Sequence, residues 1–128
     1  MSYTIDRLID DGDFEDVDAR ARAALASHGF GVLTEIDVKA TLKKKLDIDM
    51  DAYRILGACN PKMAHKAIEM EPKVGAMLPC NLILRAVDGG VQVSAIDPLA
   101  SMQAIDNEAL KSVAGQVREM LTRVVEEI

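Results

Sequence analysis

Short runs in which apolar and polar residues alternate make up much of this chain, and longer stretches repeat at helical spacing between them. Near the start, Tyr3 and Ile5 alternate with Thr4 and Asp6, the period of a strand with one buried face. This first strand falls within Ser2 to Asp10, and Asp11-Gly12-Asp13 breaks it. Asp13 is a good N-cap, and Glu15, Asp16 and Asp18 place negative charge where the helix dipole favours it. Phe14, Val17, Ala21, Ala24, Leu25 and His28 then recur every three or four residues, and Gly29 closes the helix as a C′ residue.

Gly31 to Ile36 predicts a second strand, with Val32, Thr34 and Ile36 on one face and Leu33 and Glu35 on the other. Asp37 caps a short helix through Leu46, whose stripe is Val38, Leu42 and Leu46 and whose outer face carries Lys39 and Lys43 to Lys45. Tyr53 to Cys59 is a third strand. Asn60 as cap and Pro61 at N1 open another short helix to about Met70, with Met63, Ala64, Ala67 and Ile68 inward. Glu71-Pro72 ends it, and a loop with Gly75 and Pro79 follows. Cys80 to Val87 and Val91 to Ile96 flank Asp88-Gly89-Gly90, a hairpin signal because such turns need positive φ. Asp97-Pro98 stops the fifth strand, and a turn of helix fits between Leu99 and Asp106. From Glu108 onward, Leu110, Val113, Ala114, Val117, Met120, Leu121 and Val124 form one apolar helical stripe.

This order predicts an α+β protein: an antiparallel five-stranded sheet covered by two long helices, with two short helical insertions, as a single domain over 1–128. The opposite sheet face needs a cover of its own, and a second copy of the chain is the simplest one.

Composition narrows the function classes. Of 128 residues, 49% are hydrophobic and 28% charged, a globular mix. Twenty-one acids against 15 bases give a net charge of −6, which repels phosphate and argues against nucleic-acid binding. No apolar run approaches the ~20 residues of a membrane helix, and the acidic N-terminal stretch has neither a positive nor an apolar region of a signal peptide, so no membrane and a cytoplasmic location are expected. Two cysteines are too few for a disulfide-stapled scaffold.

The candidate chemistry sits at one end of the sheet. If the third and fourth strands pair antiparallel, Cys59 and Cys80 come close, and a hairpin centred on the glycines sets residue 80 opposite residues 97 to 99. Cys59, Asn60, Cys80, Asn81 and Asp97 thus converge as a candidate ligand or thiol site. His65, one turn into the helix that Pro61 opens, would lean over the same end. Cys59, His65 and Cys80 are then candidate ligands for a transition metal ion such as zinc or copper, although their spacing matches no metal motif. Cys59 at a helix N-terminus suits a reactive thiol, with Cys80 as its resolving partner. The competing reading is that both cysteines pack as small hydrophobes and that the asparagines and Asp97 are caps. A Cys59–His65 nucleophile and base lacks identifiable oxyanion donors, and no glycine-rich phosphate loop exists. The methionines are dispersed and read as gap-fillers in a chain with only 3% aromatics.

GFGVLTEIDV (29–38), YRILGACNP (53–61), LPCN (78–81) and SAIDP (94–98) together resemble the domain of unknown function 302 family, over nearly the whole chain. The resemblance implies a small prokaryotic protein with a TATA-binding-protein-like β-α-β4-α fold that forms a homodimer. It implies no reaction, substrate or cofactor. The expectation is therefore a dimeric binding or interaction module without catalysis, able to take a small-molecule ligand. The alternative is a thiol-based redox, sulfur-handling or metal-binding protein that uses Cys59 and Cys80.

Overall fold

A computed structural model describes residues 2–10 and 12–128. Asp11, the first residue of the predicted break, lies outside them. The elements follow the expected order: β1 Thr4–Ile9, α1 Phe14–Ser27, β2 Gly31–Asp37, α2 Val38–Leu46, β3 Tyr53–Cys59, α3 Pro61–Met70, β4 Cys80–Val87, β5 Gly90–Ile96, α4 Pro98–Ser101 and α5 Glu108–Glu127. The sheet order is β1-β5-β4-β3-β2, and every neighbouring pair is antiparallel. The chain is thus a mixed α+β fold built on a five-stranded antiparallel sheet.

Local chemistry sets most of the boundaries. Asp13, Asp37, Asn60, Asp97 and Asn107 each cap a helix by accepting a backbone N–H with the side chain. Gly29 turns the chain out of α1 at φ 82°. The β4–β5 hairpin turns at Asp88 and Gly89, with Gly89 at φ 90° and Val87 facing Gly90. Gly90 has a second role, because a Cβ there would run into the backbone oxygen of Ile9 on β1. The glycine pair therefore serves the turn and the docking of the edge strand.

One sheet face carries the core. Leu56, Ala58, Leu82, Leu84, Val91, Val93 and Ala95 are buried together with Val17, Ala21 and Leu25 of α1 and Val117, Leu121 and Val124 of α5. A smaller cluster, Ala67, Val74, Met102, Leu110 and Ala114, lies where α3 and α4 meet the first half of α5. Arg7 on β1 donates to the backbone oxygens of Val125, Glu126 and Ile128 at 2.7–3.2 Å, satisfying helix-end acceptors that lack intrahelical partners.

Three expectations need correction. Leu33 forms a β-bulge, since Val32 faces Ala58 while Thr34 faces Gly57. Val32 therefore joins the covered face and packs on the core, and it does not share a side with Thr34 and Ile36. Ile68 is 44% exposed and does not point inward, because the ridge of α3 that meets α5 is built on Ala67. Residues 72–77 form a short 3-10 helix that buries Val74, where a plain loop was expected.

A polar network at one margin of the core had no warning in the pattern. Asp18, 8% exposed, accepts from Arg22 Nε at 2.7 Å and from Arg54 at 2.9 Å. Arg54 also binds Glu15 and lies 5.1 Å over the Phe14 ring, while Arg22 reaches Glu35. Burial pushes the Asp18 carboxyl up, but the two guanidiniums outweigh it and hold the group below its ordinary value of 3.8. Arg54→Leu should cost about 1–3 kcal/mol, since Asp18 loses a charged partner. With the folded-state value lowered, Asp18 contributes stability above its ordinary value and loses it as pH falls through the lowered one. Urea unfolding at pH 7 and pH 3 should show a smaller acid loss in Asp18→Asn than in the parent.

Candidate functional site

The end of the sheet where β3 leaves and β4 enters holds the cysteines. Ala58 faces Cys80 across the β3–β4 ladder, so Cys59 is the next residue along from Cys80's cross-strand partner. Cys59 itself ends β3 opposite Gly31 of β2. Both thiols are free and both residues are half-buried beside one small cavity, but strand alternation sets the Cys59 side chain on the sheet face opposite that of Ala58 and Cys80. Its volume is about 30 Å³, which admits one water and not a drug-sized molecule. The walls come from β3, α3, the Leu78-Pro79 approach to β4, α4 and the first half of α5.

The other predicted site residues divide. Asn60 is at the cavity, but its side chain is committed: Oδ1 accepts from the Met63 N–H at 3.3 Å, and Nδ2 donates to the His28 carbonyl at 3.5 Å. Asp97 follows β5 near the same sheet end, yet it accepts from the Leu99 N–H at 3.0 Å and from Arg118 Nε at 2.9 Å. It caps α4 and ties that helix to α5. Asn81 faces Gly57 and, one residue on from Cys80, belongs to the opposite sheet face, where it is exposed. His65 stands off the site on the exposed side of α3, with its side chain 76% accessible and Nδ1 3.4 Å from Glu69. Among the described residues, no three His, Cys, Asp or Glu side chains are grouped so as to hold a metal ion. The sheet end brings together Cys59, Asn60 and Cys80 and leaves out His65 and Asn81.

Two side chains absent from the predicted set do reach the cavity, Met63 and Met102. Their approach was readable in retrospect. Met63 is in the first turn of the helix that starts beside Cys59, and Met102 directly follows the helix that Asp97 caps. The linear dispersal of the methionines hid this.

The electrostatics differ from those of a reactive dithiol. Burial pushes the Cys80 thiol up to about 11 from the ordinary 9.0, and the neighbouring Cys59 adds in the same direction. Cys80 is therefore a neutral thiol at neutral pH, unlike the lowered thiols of redox catalysts. At pH 8 it should alkylate about a hundredfold more slowly than an ordinary exposed thiol, from the shift in its thiolate fraction. Iodoacetamide labelling followed by peptide mapping measures this directly, and a Cys80 rate equal to that of free cysteine would refute it.

The comparisons fit this architecture. The model of the family described as Domain of unknown function DUF302 matches residues 7–128. The crystal structure of an uncharacterized conserved DUF302 protein from Bacillus stearothermophilus is similar, with a TM-score of 0.92 and 24% identity over 99% of this chain and 98% of that one. Comparison with curated proteins gives no match. No helix among the described residues is long and apolar enough to cross a membrane. Family match and fold agree, and the chain belongs to the DUF302 family.

Proposed function

We propose that this protein is a non-catalytic binding module that works as a homodimer, with two copies meeting through the sheet face opposite α1 and α5. The observation that carries this reading is the character of that face. Register sets Leu8, Ile36, Ile55, Ile83 and Ile96 on it, together with Tyr53. Leu8 and Ile36 are each 46% exposed. A shallow concavity of about 510 Å³ spans β1, β5, β4 and β3 there, with Tyr53, Ile83, Gln92 and Ser94 in its lining. An exposed face that mixes aliphatic and aromatic side chains with polar ones such as Asp6, Arg85 and Gln92 has the overall composition of a protein interface.

Charge placement favours a second copy over an unrelated partner. Asp6 on β1 and Arg85 on β4 are exposed and line the same concavity two strands apart. A two-fold axis through the face pairs each residue with its counterpart's opposite, so one pair of unlike charges supplies two contacts. The chain also carries a net charge of −6, which works against association of copies over surfaces without such a pairing.

Sedimentation at micromolar concentration should give twice the 13.9 kDa chain mass. Arg85→Asp should shift the species to monomer with unchanged circular dichroism, and adding Asp6→Arg to that variant should restore the dimer. A monomeric parent at 100-fold higher concentration would sink the reading. So would a dimer indifferent to both changes, because copies would then meet elsewhere.

A further inference from the structure

We infer that the segment joining β2 to β3, built on α2, is a dimerisation arm that closes over the edge strand β1 of a second copy. The arm's role rests on the homodimer reading and adds to it the direction of the two-fold axis and the cover of an open sheet margin.

The arm stands away from the core. α2 runs from Val38 to Leu46 and buries none of its nine residues. Val38 and Leu42 are half-buried, and the packing of α2 is chiefly on β2 and β3, the strands it joins. Beyond them the apolar stripe runs out into solvent, with Leu46 64% exposed and Ile48 45% exposed. A helix this short draws its stability from tertiary burial, which its own chain supplies sparingly here. The helix carries Lys39, Lys43, Lys44 and Lys45 and no acid, in a chain of net charge −6. Lys43 is held within the arm by Asp47 and Asp49 at 2.9 and 3.2 Å, while Lys39, Lys44 and Lys45 are exposed.

The complementary surface is the opposite margin of the sheet. β1 ends at Ile9 at the same sheet end from which the arm springs, since Asp37, Arg54, Leu84, Val93 and Arg7 lie in one row across the strands. Asp6, Asp10 and Asp13 are exposed on β1 and the turn after it. Arg7, the one base of β1, is engaged with the last backbone oxygens of α5. Leu8, 46% exposed, offers an apolar contact for Leu46 and Ile48. Arm and edge lie at opposite margins of one sheet, so a single chain cannot join them.

Symmetry joins them. A two-fold axis lying in the open face and parallel to the strands exchanges the two margins and keeps the strand ends together. Centred on β5, it lays Asp6 of one copy over β4 of the other, about 7 Å along the strand from Arg85 and within an arginine's reach. An axis across the strands instead leaves that pair about 10 Å apart sideways and sends the arm to the wrong end. With the axis along β5, the β2–β3 arm falls one to two strand spacings, about 5–10 Å, outside the other copy's β1. A basic helix there meets an acidic edge and covers its unpaired backbone groups, twice per dimer.

The test uses sedimentation of the full-length protein and two reversed variants. Lys44→Glu/Lys45→Glu and Asp10→Lys should each weaken self-association about tenfold with unchanged circular dichroism, because like charges then face each other. Mixed in equal amounts, the two should form a heterodimer as tight as the parent dimer, seen by native mass spectrometry. In that mixture the reversed arm meets the reversed edge, and the native arm meets the native edge. If a reversed variant misfolds, Lys44→Gln/Lys45→Gln or Asp10→Asn replaces it, and self-association as tight as the parent's then counts against the arm. A parent that stays monomeric overturns both readings. A dimer that responds to Arg85→Asp but not to the arm and edge changes, or variants that gain nothing on mixing, overturns this one alone. So does binding of the parent to phosphatidylserine vesicles that Lys44→Glu/Lys45→Glu abolishes while self-association holds, since the arm then serves a lipid surface.

Discussion

Everything at the cysteine-bearing end of this molecule depends on the register of three strands. The two-residue turn at Asp88 and Gly89 aligns β4 with β5, and the β3–β4 ladder sets Ala58 against Cys80. Shifting either pairing by one residue would move every side chain of that strand to the other face. Leu82 and Leu84 would leave the core, and Cys80 would leave the cavity. Gly90 reinforces the register from the side, since it admits the backbone of β1 where any Cβ would collide. The position of the thiols is thus a consequence of hairpin geometry, settled by residues that touch neither sulfur.

How much of this was legible in the linear sequence follows from how local each cause is. Turns and caps are local. Asp88-Gly89-Gly90 announced the hairpin, Asn60-Pro61 a helix start and Asp97-Pro98 the end of the fifth strand, and β3 appeared with its observed limits of Tyr53 and Cys59. The two long helices were clear from their stripes, because burial against the sheet imposes the helical period on the sequence. Their packing partners were also implied, since a five-stranded antiparallel sheet has to be covered on at least one face.

What stayed hidden depended on contacts between distant segments. The bulge at Leu33 inserts one residue against β3, and nothing in GVLTEI distinguishes it from a regular strand. Arg54 and Asp18 meet across 36 positions, and each alone looks like a surface charge. His65 was placed over the thiols because it is one turn from Pro61, yet helical rotation carries it outward to Glu69. Met63 and Met102 looked scattered along the chain and meet only through the junction of α3, α4 and α5. The topological inference that Cys59 and Cys80 adjoin needed only strand pairing, so it could be made from pattern. The identity of their neighbours needed tertiary packing.

The bulge in β2 has a consequence for how the protein behaves in crowded solution. β2 is one margin of the sheet, and its outer side presents unpaired backbone groups. The extra residue at Leu33 interrupts the even spacing that a foreign strand would need to zip along it, and the acidic Glu35 and Asp37 follow close by. The ribbon is therefore closed to lateral growth on that flank. Association is left to broad surfaces and not to raw margins, which favours discrete particles over fibres.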